Sequence, residues 1–211
     1  MSLRDGHQIN DEVINGMLAY QMRGRDHLDC HCFNTYFMTR YLSLTGTAED
    51  KHRMVARWTA SHGINLANKA AIIVPVLFKA STPGGDHWFL LVATDMSENN
   101  PSVTILNSMP GYGDDRQAAE ALIEYLRIEC EGQMRGNRIR LCEPRLPIQS
   151  THNDCGAFAV LYQRHLLQDI DEFKVPHCIH LKKPNSHPTL FYLRGGETKP
   201  ALGIGSARVQ S

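Results

Sequence analysis

No stretch of this 211-residue chain approaches the roughly 18 consecutive apolar residues that a membrane-spanning helix needs. No charged segment followed by an apolar one opens it either, so a soluble, non-secreted protein is expected. Net charge is missing too. The 22 basic residues offset the 22 acidic ones, which leaves no bulk attraction toward nucleic acid or an anionic membrane. Cysteine is present but unpatterned. The six sit at Cys30, Cys32, Cys130, Cys142, Cys155 and Cys178, with no spacing that reads as a disulfide framework. A chain of this size does not need one, so reduced thiols are expected. Zinc-finger spacing is also lacking. The cluster His27, Cys30, His31, Cys32 offers a Cys-x-Cys step with no second Cys/His pair behind it, so no metal is expected. What remains, at 42% apolar residues, is enough for one good core and a single main domain.

Periodicity gives the elements. Asp11 to Met22 is predicted as a helix, with Ile14, Leu18 and Met22 spaced by four on one face. Asn34 to Leu44 follows with Phe37, Tyr41 and Leu44 as its stripe, running straight on from the Cys-His-Cys block. Glu49 to Ser61 is a third helix, with Gly63 suited to its C-cap. Ala70 to Lys79, Trp88 to Met96 and Val103 to Ser108 are predicted strands, the last two joined by a polar turn from Ser97 to Pro101. Asp114 to Glu131 is an amphipathic helix with Ala118, Leu122, Tyr125 and Leu126 inward and acids at its start. Arg138 to Cys142 is a fourth strand, and Gly156 to Leu167 a buried helix. Helices and strands are segregated, which makes the fold class α+β. From Lys182 the chain is rich in Pro, Gly, Ser and basic residues, and 182–211 is expected to be a loosely packed tail after a domain spanning 1–181. It contains Leu193-Arg194-Gly195-Gly196, which ordinary linker chemistry explains.

The chemistry concentrates in His152-Asn153-Asp154-Cys155-Gly156-Ala157-Phe158. Here a cysteine stands at the start of a helix, where unsatisfied N–H groups and the positive dipole end favour thiolate, the nucleophilic form. A small buried core residue is the plain alternative. Three partners weigh against it. His87 opens the apolar run at Trp88 and can serve as general base. Asn107 ends the next strand, and its carbonyl can accept the imidazole Nδ1–H, leaving Nε2 for the sulfur. Gln149, six residues before Cys155, can donate to an oxyanion, as can the Cys155 backbone N–H. Asn107-Ser108 could be turn chemistry and Gln149 a solvated loop residue, but the four residues together, at these strand ends, point to a thiol enzyme.

In these residues the chain resembles the SUMO- and ubiquitin-like-protein-specific cysteine proteases, related in fold to the adenovirus protease. The likeness is carried by His87-Trp88, by Leu106-Asn107-Ser108, and by Gln149 through Asp154-Cys155-Gly156-Ala157-Phe158. Upstream it extends to Ile9-Asn10-Asp11-Glu12-Val13-Ile14-Asn15, Phe33 to Phe37, Val55 to Thr59 and Ile72 to Val76. The resemblance implies a papain-like fold, a mixed sheet flanked by helices with a central helix carrying the nucleophile. It implies a Cys155-His87-Asn107 triad with Gln149 in the oxyanion hole. Trp88, Gln8 and Asp11 would then be the substrate-binding positions, around a slot for a Gly-Gly tail. It implies cleavage after the tail of SUMO, ubiquitin or a similar modifier by a monomeric enzyme in the nucleus or cytoplasm, or in a host cytosol for a delivered effector. No cofactor is implied. Two positions depart from the family. Asn107 stands where Asp is usual; papain-like enzymes use Asn there, and an Asp at 107 would accept the same bond. Gln8 stands where the family has a tryptophan that forms one wall of the slot, with Trp88 as the other. A viral-type polyprotein protease, an acetyltransferase on the same site and a silent modifier-binding module are the other readings.

Overall fold

The computed structural model describes residues 8–25, 28–79, 86–112, 114–136, 138–151 and 153–171. His27, His152 and the 182–211 segment lie outside them.

Helix α1, Asp11–Met22, starts where the Asn10 side chain accepts from the Val13 N–H at 3.1 Å, a cap worth about 1 kcal/mol. Asp11 and Glu12 fill its first turn, where acids complement the dipole. Helix α2, Thr35–Ser43, is capped in the same way by Asn34, and its predicted stripe of Phe37, Tyr41 and Leu44 is buried. The third predicted helix is two: α3, Ala48–Val55, and α4, Arg57–Ala60. The backbone stays right-handed at Ala56, but the Thr59 hydroxyl and the Thr59 N–H both reach back to the Ala56 carbonyl at 3.2 Å. Such bonding by a β-branched residue tightens and bends a helix. Gly63, at φ +62, ends α4. Its N–H reaches the Ala60 carbonyl, and the Ile64 N–H reaches that of Thr59, the pattern of a Schellman cap.

The sheet runs β1 (Cys30–Cys32), β2 (Ala71–Phe78), β3 (His87–Thr94), β4 (Ser102–Leu106), β5 (Arg140–Cys142), in spatial as in chain order. Its inner pairings are antiparallel and its two outer ones parallel. Pro75 is tolerated within β2 because β1 pairs only with Ala71 to Ile73, so at Pro75 that side carries no strand needing an N–H. Alternation along β3 sends Phe89, Leu91 and Ala93 to one core, with α2, α3 and α5 (Asp115–Glu129). Trp88, Leu90 and Val92 go to the other, with α1 and α6 (Cys155–Asp171). Both faces of β3 are covered, which is why its sequence is continuously apolar. Helix α6 is tied to α1 by Gln21 Nε2 donating to the Val160 carbonyl at 3.1 Å and Gln163 Nε2 to that of Leu18 at 3.4 Å.

Strand β1 is a correction to the sequence expectation, which ran the Cys-His-Cys block straight into α2. Three residues without an apolar alternation carry no strand signal of their own; pairing with β2 makes them one. The strand turns Cys30 and Cys32 toward the core of α1 and α6, while the His31 ring meets Phe33 edge-on at 4.5 Å.

His31 yields a prediction. Its Nε2 is buried without a hydrogen-bond partner. Burial, helped by the charges of Lys69 and His62, lowers its pKa to about 4. The folded pKa lies below the unfolded one, so the neutral ring contributes stability that is present above about pH 6.5 and is lost as pH falls toward 4. His87 is shifted in the same direction by its own burial. Urea midpoints should therefore drop between pH 6.5 and 4, and His31→Phe should flatten that drop. A variant with an unchanged pH slope would count against this origin.

Candidate active site

Strand β3 begins at His87, and β4 ends one residue before Asn107. Leu90 faces Leu106 in the register, so Asn107 lies diagonally across from His87 on the same face, within reach of long side chains. His87 Nε2 is 2.7 Å from Asn107 Oδ1. Both residues are buried. The rings of Phe89 and Tyr112 flank the imidazole at 6.2 and 5.4 Å.

This corrects the predicted nitrogen. The orienting bond uses Nε2, the tip of the ring, and not Nδ1. Nδ1, next to the ring's attachment, is the nitrogen that this bond leaves over. The N–H of Trp88, the next residue, points at the Cys155 sulfur, as do those of Gly156 and of Cys155 itself.

The asparagine has one consistent orientation. Its Oδ1 also accepts from the Met109 N–H at 2.9 Å, and its Nδ2 donates to Asp115 Oδ2 at 2.8 Å. Turning the amide over would set its NH₂ against two donors and its oxygen against a carboxylate.

Gln149 is held as firmly. The Ser108 hydroxyl donates to its Oε1 at 2.6 Å, and its backbone N–H donates to the Ser108 carbonyl at 2.9 Å. Its Nε2 donates one hydrogen to the Thr151 carbonyl at 2.8 Å, which leaves the second. The loop carrying it is pinned to α6 by the Tyr162 hydroxyl donating to the Pro147 carbonyl at 3.3 Å. Chain order thus joins two hydrogen-bonded pairs, His87 with Asn107 and Ser108 with Gln149, into one assembly.

Cys155 opens α6 and is fully buried. Burial pushes its thiol above the ordinary value, against the pull of the three N–H groups; the Asp154 carboxylate adds to the rise. The sequence expectation that the helix start would leave a thiolate is therefore corrected, because desolvation outweighs the local N–H groups. Burial also lowers His87, opposed by its Asn107 bond and the Asp115 charge. Burial thus works against the charged form of both groups, the thiolate of Cys155 and the imidazolium of His87.

The predicted substrate positions divide. Trp88 is not an open slot wall. Its ring is 2% exposed, and its indole N–H donates to the Ile9 carbonyl at 2.9 Å. It is covered because Ile9, where the chain enters α1, lies against Gly156. A Cβ on Gly156 would come within 3.0 Å of Ile9 and 3.5 Å of Trp88; glycine lets the start of α6 sit that close. Gln8 Nε2 donates to the Asp86 carbonyl at 2.9 Å, tethering the residue before His87. Asp11 accepts from the Tyr36 hydroxyl, holding that phenol's pKa up, in a contact separate from the sulfur. Sequence reasoning left two residues without a role at the site. Ser108 was legible from its place beside Asn107. Asp115 reads only as an acid at a helix start, and nothing in its spacing links it to Asn107.

Residues 7–183 match the family model described as the Ulp1 protease family, C-terminal catalytic domain. The ubiquitin-like-specific protease ESD4 of Arabidopsis thaliana is 29% identical over 167 residues, which cover 73% of this chain and 31% of that protein. The chain spans about a third of the length of the curated relatives it matches. Among solved structures, the Xanthomonas campestris effector XopD bound to ubiquitin superposes with a TM-score of 0.59 at 20% identity, covering 82% of this chain and 81% of that one. The Ulp1 protease domain in complex with Smt3, the yeast ortholog of SUMO, gives 0.57 at 18% identity, covering 77% and 66%. These structural likenesses place the fold.

Proposed function

Because the chain belongs to the Ulp1 protease family, matching its C-terminal catalytic domain, we propose that it is a thiol protease that cuts after the Gly-Gly-type tail of a ubiquitin-like modifier. The observation that carries this is the hydrogen-bonded set His87, Asn107, Ser108 and Gln149, joined to a helix-start cysteine through the Trp88 N–H. His87 takes the Cys155 proton as the sulfur attacks the carbonyl after the terminal glycine, then gives it to the leaving amine. Asn107 holds the ring through Nε2. The second hydrogen of Gln149 Nε2 and the Cys155 backbone N–H receive the oxyanion. Water, activated by His87, then releases the acyl-enzyme. Trp88 works from beneath, through its N–H on the sulfur and its ring under Gly156, and Gln8 and Asp11 stand at the start of α1 where the tail enters.

The substrate class is supported by the relatives' own complexes with Smt3 and with ubiquitin. The family match, ending at residue 183, supports a catalytic domain over 1–181. No described helix is long and apolar enough to cross a membrane, and an intracellular site of action, nuclear or cytoplasmic, follows from the proposed substrates. The test is hydrolysis of a panel of ubiquitin and SUMO proteins carrying a C-terminal aminomethylcoumarin amide. Release from at least one member, dependent on the intact tail, is expected. No release from any, with binding retained, would leave a silent modifier-binding module. Transfer of an acetyl group without hydrolysis would replace the protease assignment.

A further inference from the structure

Asn107 is neutral, and the imidazolium that forms on His87 during proton transfer gains less from it than from a carboxylate. A carboxylate is nevertheless present one hydrogen bond further out. Asp115 Oδ2 accepts from Asn107 Nδ2 at 2.8 Å. The same amide's oxygen accepts from His87 Nε2 at 2.7 Å. The three side chains form a line in which every donor and acceptor is matched. Asp115 is the first residue of α5 and its Oδ1 accepts from the Arg116 N–H at 2.7 Å. A cavity of about 180 Å³ opens beside the pair, lined among others by Pro110, Gly111, Arg116 and Glu143. Arg116 is turned to Glu143 at 2.6 Å and not to Asp115. The other charged groups nearby are Asp114 on the same helix start, Asp86 preceding His87 and Asp154 preceding Cys155.

We infer that Asp115 is a positioning residue of this site: it fixes which way the Asn107 amide points and supplies, through it, the negative charge that Asn107 lacks. The inference rests on the proposed protease mechanism for its rate effect, but not for its effect on His87 itself. It also reverses an expectation. From sequence alone, Asn107→Asp should keep activity, because aspartate accepts the same bond. In the structure it would set two carboxylates face to face, where both cannot stay ionised without cost.

The experiment is a swap. Asp115→Asn keeps an acceptor for Asn107 Nδ2 and removes the charge. It should lower kcat about tenfold with KM nearly unchanged, and lower the His87 pKa, read by imidazole NMR, by about one unit. Removing a negative charge makes nearby protons easier to lose, so both limbs of the pH–rate profile should move to lower pH. Asn107→Asp alone should lower Tm and add an ionisation to the profile. In that background Asp115→Asn should do the opposite of what it does in the parent. It should raise Tm, remove the extra ionisation and bring kcat back to the parent level or above. Asp115→Asn with parental kcat and His87 pKa would overturn the inference. If that single variant does not fold, the comparison of Asn107→Asp with the double variant decides, and an absent rescue overturns it. A parent inactive on every coumarin substrate would overturn the protease assignment, while the His87 titration would still decide the role of Asp115.

Discussion

Cys155→Ala is expected to reduce turnover by at least about 10⁴-fold while the protein remains folded and still binds its modifier. The substitution removes one sulfur from a fully buried site at the first residue of α6. No other thiol belongs to the set of His87, Asn107, Ser108 and Gln149, and the Ser108 hydroxyl is engaged by Gln149 Oε1. His87 and Gln149 would remain in place, since neither is held by the sulfur: one is fixed by Asn107 and the other by Ser108. The lost packing is small, on the order of 1 kcal/mol, so the folded fraction should barely change. Three other described cysteines are poor substitutes, because burial raises Cys30 to about 11 and Cys32 and Cys130 to about 12. Measured turnover in the purified Cys155→Ala protein within tenfold of the parent would exclude the mechanism.

Asn107→Ala is expected to cost about 10²-fold or more in kcat. The loss has three parts, all visible in the hydrogen bonds. The His87 Nε2–H loses its acceptor, the Met109 N–H loses its own, and Asp115 is cut off from the ring. The first frees the imidazole to turn, so the proton acceptor is no longer aimed at the sulfur. The second loosens the turn that carries Ser108, and with it the Oε1 anchor of Gln149. Leaving buried groups without partners should also destabilise the fold by roughly 1–3 kcal/mol, so the rate must be expressed per folded molecule. If Asn107 only shaped the turn after β4, stability would fall and kcat would not.

Much of this was legible in the chain, for reasons that differ by element. Helices α1, α2 and α5 declare themselves through apolar residues at helical spacing, α1 and α2 also through capping side chains. Strands β2 and β3 do so through long apolar runs, which the two covered faces of the sheet require, and β4 through Val103, Ile105 and Leu106. Among the candidate site residues, His87, Asn107 and Cys155 were legible because each sits where an element starts or ends, and Gln149 through its place six residues before Cys155. What could not be read depends on contacts distant in sequence. β1 is a strand because β2 lies beside it, not because Cys-His-Cys favours one. The break between α3 and α4 comes from one threonine turning back on its own helix. The sequence reading turned Nδ1 toward Asn107, and the packing of β3 against β4 selects Nε2 instead. A helix start favours thiolate, but how deeply α6 is buried decides the outcome. Trp88 reads as an aromatic wall and becomes core because Ile9 covers it. Asp115, eight residues from Asn107, is brought to it by the turn after β4.

The central claim is that Cys155, activated by His87, attacks the carbonyl of a modifier's terminal glycine. It is tested most directly by incubating the protein with ubiquitin and SUMO proteins whose C-terminal glycine is replaced by a thiol-reactive electrophile, then mapping the adduct by mass spectrometry. The account predicts one stoichiometric adduct with at least one modifier, located on Cys155, and its loss in both Cys155→Ala and His87→Ala. An adduct on any other cysteine, or none with a folded protein that binds the same modifier, would contradict it.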